Sequence, residues 1–135
     1  MTACYAIGLG ARRGVSATDL VDLVRRVADD LDVALSQSAL FTSESKSSEA
    51  GFHDAANQLG LPLTFLSLEA LKERSGAAKT HSPRVQAMFG VGSVSEAAAL
   101  VGAGAGSKLL GPRQTTPTAA CAVAASLADI TEESR

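Results

Sequence analysis

The sequence holds no tryptophan, one tyrosine and four phenylalanines in 135 residues, so a row of aromatic stacking platforms for single-stranded nucleic acid is excluded. It has two cysteines, Cys4 and Cys121, far apart in the chain. That is poor material for a disulfide framework and fits reduced thiols in a cytoplasmic setting. Charge is nearly balanced, with 12 lysines and arginines against 14 acids and a net of −2, so no basic field invites nucleic acid. No apolar run is long enough to span a bilayer, and the first residues lack the apolar core of a secretion signal. Gly-Lys-Ser and Gly-Lys-Thr are both absent, which removes a Walker loop. Two histidines, His53 and His81, and two cysteines without metal-like spacing exclude an obvious zinc site, and no metal or cofactor is expected.

What is present is a globular composition, 46% hydrophobic and 19% charged, in a length suited to one domain. The expected division is a domain over residues 1–128 and a polar tail at 129–135. Residues 3–9 read as a strand buried on both faces. Ser16 and Asp19 have capping-box spacing, and Leu20, Leu23, Val24, Val27 and Leu31 then recur at helical intervals. A second strand over 38–43 precedes a helix marked by Phe52, Ala55, Ala56 and Leu59 and stopped by Gly60. A third strand over 63–67 leads into a short helix and then a loop, GAAKTHS. Ser82 and Pro83 start a further helix, and Ser93 with Glu96 forms a capping box opening an alanine-rich one. Strand candidates at 108–111 and 118–124 close the chain. The alternation predicts a three-layer αβα sandwich with a mostly parallel sheet. The connection PRQTTP is too short for a parallel crossover, so the last strand is expected to be antiparallel.

Ligands of open α/β sheets sit beyond the carboxyl ends of the strands, which directs attention to the loops there. After the first strand, Gly10, Arg12, Arg13, Gly14 and Ser16 combine close backbone approach, two forked cations and a helix start, a pattern suited to carboxylates or phosphates. A tight turn with solvated arginines is the plainer alternative. Gly8, Gly10 and Gly14 place the third glycine one residue late for a dinucleotide fingerprint, and no acid ends the second strand where a ribose would need one. After the second strand, Ser43 and Lys46 are candidate anion contacts. Glu49 reads equally as acid, base or first-turn helix charge. Gly92 and Ser93 form a second candidate anion nest, Glu96 is the other available carboxylate, and Lys108 and Arg113 flank the late LLGP run, where either faces the same pocket or just water.

The loop GLGARRGVS, the stretch SKSSEAGFHDAANQLGLPLTFLSLEAL, the later SPRVQAMFGVGSVSEAAAL, and KLLGPR before an alanine-rich final strand together resemble one family. It is the domain shared by the cobalamin-biosynthesis protein CobE and the C-terminal part of CbiG, and the resemblance runs over roughly residues 4 to 126. Two departures stand out: Ala11 replaces a cysteine common in the family, and PRQTTPT replaces a more lysine-rich stretch. The resemblance implies a role in corrin-ring assembly, with a precorrin or corrinoid intermediate as ligand and another pathway enzyme as a possible partner. It also raises the CbiG reaction, hydrolysis of a precorrin lactone with loss of a two-carbon fragment, as an alternative to a binding role. For that chemistry Glu49 and Glu96 are the candidate bases, and Gly10, Arg12, Arg13, Gly14, Ser16, Ser43, Lys46, Gly92, Ser93 and Lys108 the candidate contacts to a carboxylate-rich substrate.

Overall fold

The run YAIGLGA at Tyr5–Ala11 forms strand β1, and its alternation of large and small side chains organises the sheet. The computed structural model describes residues 5–75, 91–104 and 106–125. Helix α1 (Ala17–Leu31) follows β1, then β2 (Ser38–Ser43), α2 (Ala50–Leu59), β3 (Leu63–Leu66), α3 (Leu68–Ser75), α4 (Val91–Ala103), β4 (Lys108–Leu109), β5 (Gln114–Thr115) and β6 (Ala119–Ala125). The sheet order is β3-β2-β1-β6-β4, and β5 also pairs with β6. β1, β2 and β3 are parallel, whereas β6 runs antiparallel to β1, β4 and β5. This is the mixed sheet with a reversed final strand that the short connection predicts.

Side chains alternate across a strand, so β1 and β6 each show two different faces. One face carries Ile7, Leu9, Ala11, Cys121 and Val123, which pack with Leu20, Leu23, Val24 and Val27 of α1 and with Phe52 and Ala55 of α2. Each large aliphatic side chain buried there contributes about 1.5–3 kcal/mol. The other face carries Ala6, Gly8 and Gly10 of β1 in register with Ala124, Ala122 and Ala120 of β6, a floor of glycine and alanine only. Helix α4 lies on that floor through Ala99 and Leu100, and its opposite flank, Ala97 and Ala98, meets Leu71 of α3. The approach is so close that a Cβ at Gly8 would run into the Ser95 carbonyl oxygen and sit 2.5 Å from the Ala99 nitrogen.

Local signals fix the element ends. Ser16 caps α1, its hydroxyl accepting from the Asp19 amide at 3.1 Å. Gly60, at φ 70°, ends α2. Differences from the sequence reading are instructive. β1 continues to Ala11 because β6 pairs with it along its whole length, where the glycines suggested an earlier stop. Helix α4 begins at Val91, so Ser93 lies within its first turn and not ahead of it. The spacing Ser-x-x-Glu there belongs to helix interior, and Glu96 is buried. The 108–111 strand is shorter than expected, and β5 was hidden in what reads as a plain connection. Five residue steps from Leu109 to Gln114 face three on β6, from Ala124 to Cys121, so two extra residues form a bulge. Gly111 and Pro112 occupy this edge, where a missing amide donor is tolerated. The expected GAAKTHS loop, the helix at Ser82–Pro83, Cys4, His81 and the tail 129–135 lie outside the described residues.

Two outcomes follow from this packing. Gly8→Ala forces a Cβ into helix backbone that has no flexible end to yield. It should destabilise the fold by about 1–3 kcal/mol or more in urea unfolding, whereas Ala6→Gly should cost under about 1 kcal/mol. Burial pushes the Cys121 thiol up to about 12, against a smaller opposing pull from Arg26. In a Cys4→Ser background, thiol reagents should therefore react with Cys121 only on unfolding. The folded thiol ionises above its unfolded value, so its contribution is intact below the ordinary thiol range and is lost as pH climbs toward 12. Equilibrium unfolding at rising alkaline pH reads that loss.

Candidate functional site

At the carboxyl end of β1 the chain turns through Arg12 to Ser16. The Arg12 amide donates to the Thr118 carbonyl at 2.9 Å, extending the β1–β6 ladder by one bond, and the Val15 amide donates to the Arg12 carbonyl at 3.2 Å. Gly14 has φ 81°, a left-handed conformation that lets this turn close. Its amide donates to Glu49 Oε1 at 3.0 Å, and Gly51 sits so close to the Val15 carbonyl that a Cβ would collide with it. The start of α2 is thus braced against the arginine loop. Glu49 is half-buried at the N-cap position of α2, yet its side chain serves the neighbouring loop and makes no cap bond to its own helix.

Because β6 runs opposite to β1, the turn that enters β6 stands at the same end of the sheet. Thr116, Pro117 and Thr118 form that turn. The Thr116 amide donates to the Ala119 carbonyl at 2.8 Å, and Thr116 Oγ1 accepts from the Ala119 amide at 3.1 Å. Helix α1 holds the hairpin from the side: Thr118 Oγ1 donates to Asp19 Oδ2 at 3.2 Å, and Arg26 donates to Gln114 Oε1 at 3.2 Å and to the Thr115 carbonyl at 3.3 Å.

Between hairpin and loop lies a cavity of about 290 Å³, lined by Arg12, Arg113, Thr115, Thr116, Pro117, Thr118, Ala119 and Ala120. Two arginines and three threonines line this small hollow, and because the Thr118 hydroxyl is spent on Asp19 and that of Thr116 on its own turn, the guanidiniums are the groups suited to meet an anion. Arg113 follows the bulge of the edge strand. Its Nη1 stands 3.6 Å from Glu96 Oε1, with the Glu96 side chain 0% exposed and that of Arg113 21%. Arg113 therefore reaches from a fully buried carboxylate in α4 to the cavity wall.

The sequence-predicted residues separate into those the structure brings together and those it does not. Arg12 lines the cavity, and Gly10 lies in the floor beside it, paired with Ala120. Arg13, Gly14 and Ser16 are exposed on the same loop but do not line the hollow, and Ser16 is engaged as a helix cap. Ser43 accepts from the Ser45 amide at 3.2 Å and caps the 3-10 turn Glu44–Lys46, which leaves half-buried Lys46 beyond β2 and away from the hairpin. Gly92 and Ser93 belong to the first turn of α4. Lys108 is exposed at the far end of the sheet, since its partner Ala125 pairs with Tyr5 at the start of β1. His53 is held by its Nε2 contact of 2.7 Å with the Ser47 carbonyl and by Phe65, ring centroids 5.4 Å apart. Arg113, which the sequence leaves facing either the same pocket or water, lines the cavity, and the three threonines are the residues that sequence reasoning did not bring to it. The available signal was the interrupted PRQTTPT stretch, whose proline and hydroxyls mark a bulged edge and a built turn. Among the described residues no group of three His, Cys, Asp or Glu side chains could hold a metal ion, and no helix is long and apolar enough to cross a membrane.

The chain is similar to proteins of one pathway. The family model described as cobalamin synthesis G C-terminus matches residues 5–124. No curated protein sequence matches the chain. A solved structure of CobE, a protein from the cobalamin (vitamin B12) biosynthetic pathway, is 31% identical with a TM-score of 0.83, over 94% of this chain and 93% of that one. The cobalamin biosynthesis protein chiG from Agrobacterium tumefaciens is 30% identical with a TM-score of 0.71, over 91% of this chain and 98% of that one. A cobalamin biosynthesis protein G homologue from Sulfolobus solfataricus shares the fold at 17% identity and a TM-score of 0.65. This chain spans 37% of its length and is itself 93% covered. With 120 of its 135 residues inside the family model, the chain belongs to the family of the cobalamin synthesis protein G C-terminal domain.

Proposed function

We propose that this protein works in cobalamin biosynthesis by binding a carboxylate-bearing corrinoid intermediate, in the cytoplasm and alongside another enzyme of the pathway. The observation that carries this reading is the cavity at the carboxyl end of β1, where Arg12 and Arg113 converge with Thr115, Thr116 and Thr118. A corrin precursor carries acetate and propionate arms that are ionised at neutral pH around a large apolar ring. A hollow of about 290 Å³ is at the small end of ligand sites, so it suits one such arm and leaves the ring on the surface above it. Family membership supplies the pathway, and the guanidiniums supply the chemistry.

The alternative, hydrolysis of a precorrin lactone, needs a base able to reach water beside the substrate. Glu49 is engaged by the Gly14 amide, and Glu96, within α4, has no exposure. These placements favour binding over turnover.

Titration of the protein with hydrogenobyrinic acid, followed by absorbance, should give saturable binding. Arg12→Ala should weaken it roughly 10-fold to 100-fold, the cost of one charge-assisted contact. Equal affinity of the variant would make Arg12 a surface charge and remove the reading. Incubation with a lactone-bearing precorrin should release no acetaldehyde above background. Sustained release that Glu49→Gln abolishes would put the hydrolytic reading in its place.

A further inference from the structure

Glu49 stands beside a loop that carries two arginines, and it pairs with neither Arg12 nor Arg13. Its Oε1 accepts instead from the Gly14 amide at 3.0 Å. The difference matters for the cavity. A carboxylate on Arg12 would offset the charge of a lining guanidinium and draw it toward α2, whereas a carboxylate on the backbone leaves that guanidinium to the hollow. Glu49 also occupies the N-cap position of α2, where an acid ordinarily serves its own helix, and makes no such bond.

The Arg12 backbone is tied at both of its polar groups. Its amide donates to the Thr118 carbonyl at 2.9 Å and its carbonyl accepts from the Val15 amide at 3.2 Å, so its side chain starts from a point fixed by β6 and by the turn. That turn passes through Gly14 at φ 81°, and the Glu49 carboxylate holds the Gly14 amide there. Glu49 is anchored in its turn. Its amide donates to the Lys46 carbonyl at 3.0 Å, and its carbonyl accepts at 3.2 Å from the amide of Phe52, a core residue. A line of contacts thus runs from the core through α2 and Glu49 to the turn that carries Arg12. We infer that Glu49 is a positioning residue for the cavity: through the Gly14 amide it fixes the backbone from which Arg12 meets an anion, and it touches no ligand itself. The inference rests on the cavity being the ligand site, and it adds what holds Arg12 oriented there.

Two substitutions separate reach from charge. Glu49→Gln keeps an acceptor oxygen at full length and drops the charge. Glu49→Asp keeps the charge, falls one carbon short of Gly14 and is a good cap for α2, so stability in urea should hold or rise. The full chain of each variant is titrated with hydrogenobyrinic acid, followed by absorbance, and with propionate, followed by the NMR amide signals of Arg12 and Ala119. Glu49→Asp should weaken both ligands about 5-fold, the cost of ordering the loop on binding, and Glu49→Gln should stay within about 2-fold of wild type. In an Arg12→Ala background Glu49→Asp should have no further effect, because only Arg12 passes the order of the loop to the ligand. A purely structural role would lower stability and weaken binding equally in both backgrounds. The inference is overturned if Glu49→Asp binds like wild type, if Glu49→Gln loses as much as Glu49→Asp, if the Glu49→Asp effect persists without Arg12, or if wild-type protein binds neither ligand. The stated pattern with propionate but no binding of the pigment removes the corrinoid reading alone. Pigment binding that Glu49→Asp leaves unchanged removes only the role of Glu49.

Discussion

Everything at the cavity end of the sheet depends on how closely α4 lies on it. Ala6, Gly8 and Gly10 beside Ala120, Ala122 and Ala124 offer no side chain larger than a methyl, so helix backbone meets strand backbone at Gly8. Close packing of this kind brings many small contacts into range and leaves no slack for added volume. The opposite face is built differently, with Ile7, Leu9 and Val123 filling a thicker layer under α1 and α2. One strand pair thus supports a thick layer and a thin one, and the thin one holds the buried carboxylate of Glu96.

A thin layer explains how a carboxylate can be buried there. With α4 pressed onto β1 and β6, a residue on its edge-strand flank is closed over, yet it remains within reach of a long side chain from the sheet edge. Glu96 and Arg113 occupy those positions. The bulge between β4 and β5 matters for the same reason, because two extra residues reset the register just before Arg113. Without it, the edge would continue the regular ladder, and position 113 would fall at a different pairing level against β6.

Much of the fold was legible because local signals and burial agreed. The Ser16 cap, the stripe from Leu20 to Leu31, the strand 38–43 and the Gly60 stop all use chemistry confined to one element. The reversed final strand could be argued from connection length alone. What could not be read was long-range. β5 has two residues and exists only through its partner β6. Glu96 carries a capping-box spacing with Ser93, and nothing local says that the position is covered by other elements. Arg113 looks like any charged residue before a polar loop until the bulge and α4 fix its surroundings. Of the candidate contacts, Arg12 could be found because it directly follows a strand. Lys108 was misleading because its place is set by a strand's direction, which brings it to the far end of the sheet.

The reversal of β6 is what gives this sheet end its material. In a wholly parallel sheet, only loops leaving strands stand at the carboxyl end, and each offers chiefly a helix start. Here the turn entering β6 stands beside the loop leaving β1, joined to it by the Arg12 amide and the Thr118 carbonyl. The hairpin side contributes Arg113 and threonines on a turn braced by α1, while the loop contributes Arg12 on a turn braced by α2. The two halves of the cavity are therefore fixed by different helices on one side of the sheet, and Glu96 approaches Arg113 from the helix on the other. On the proposed reading, an anion settling among them would meet groups already oriented, and a protein of net charge −2 would need no basic surface to hold it at one spot.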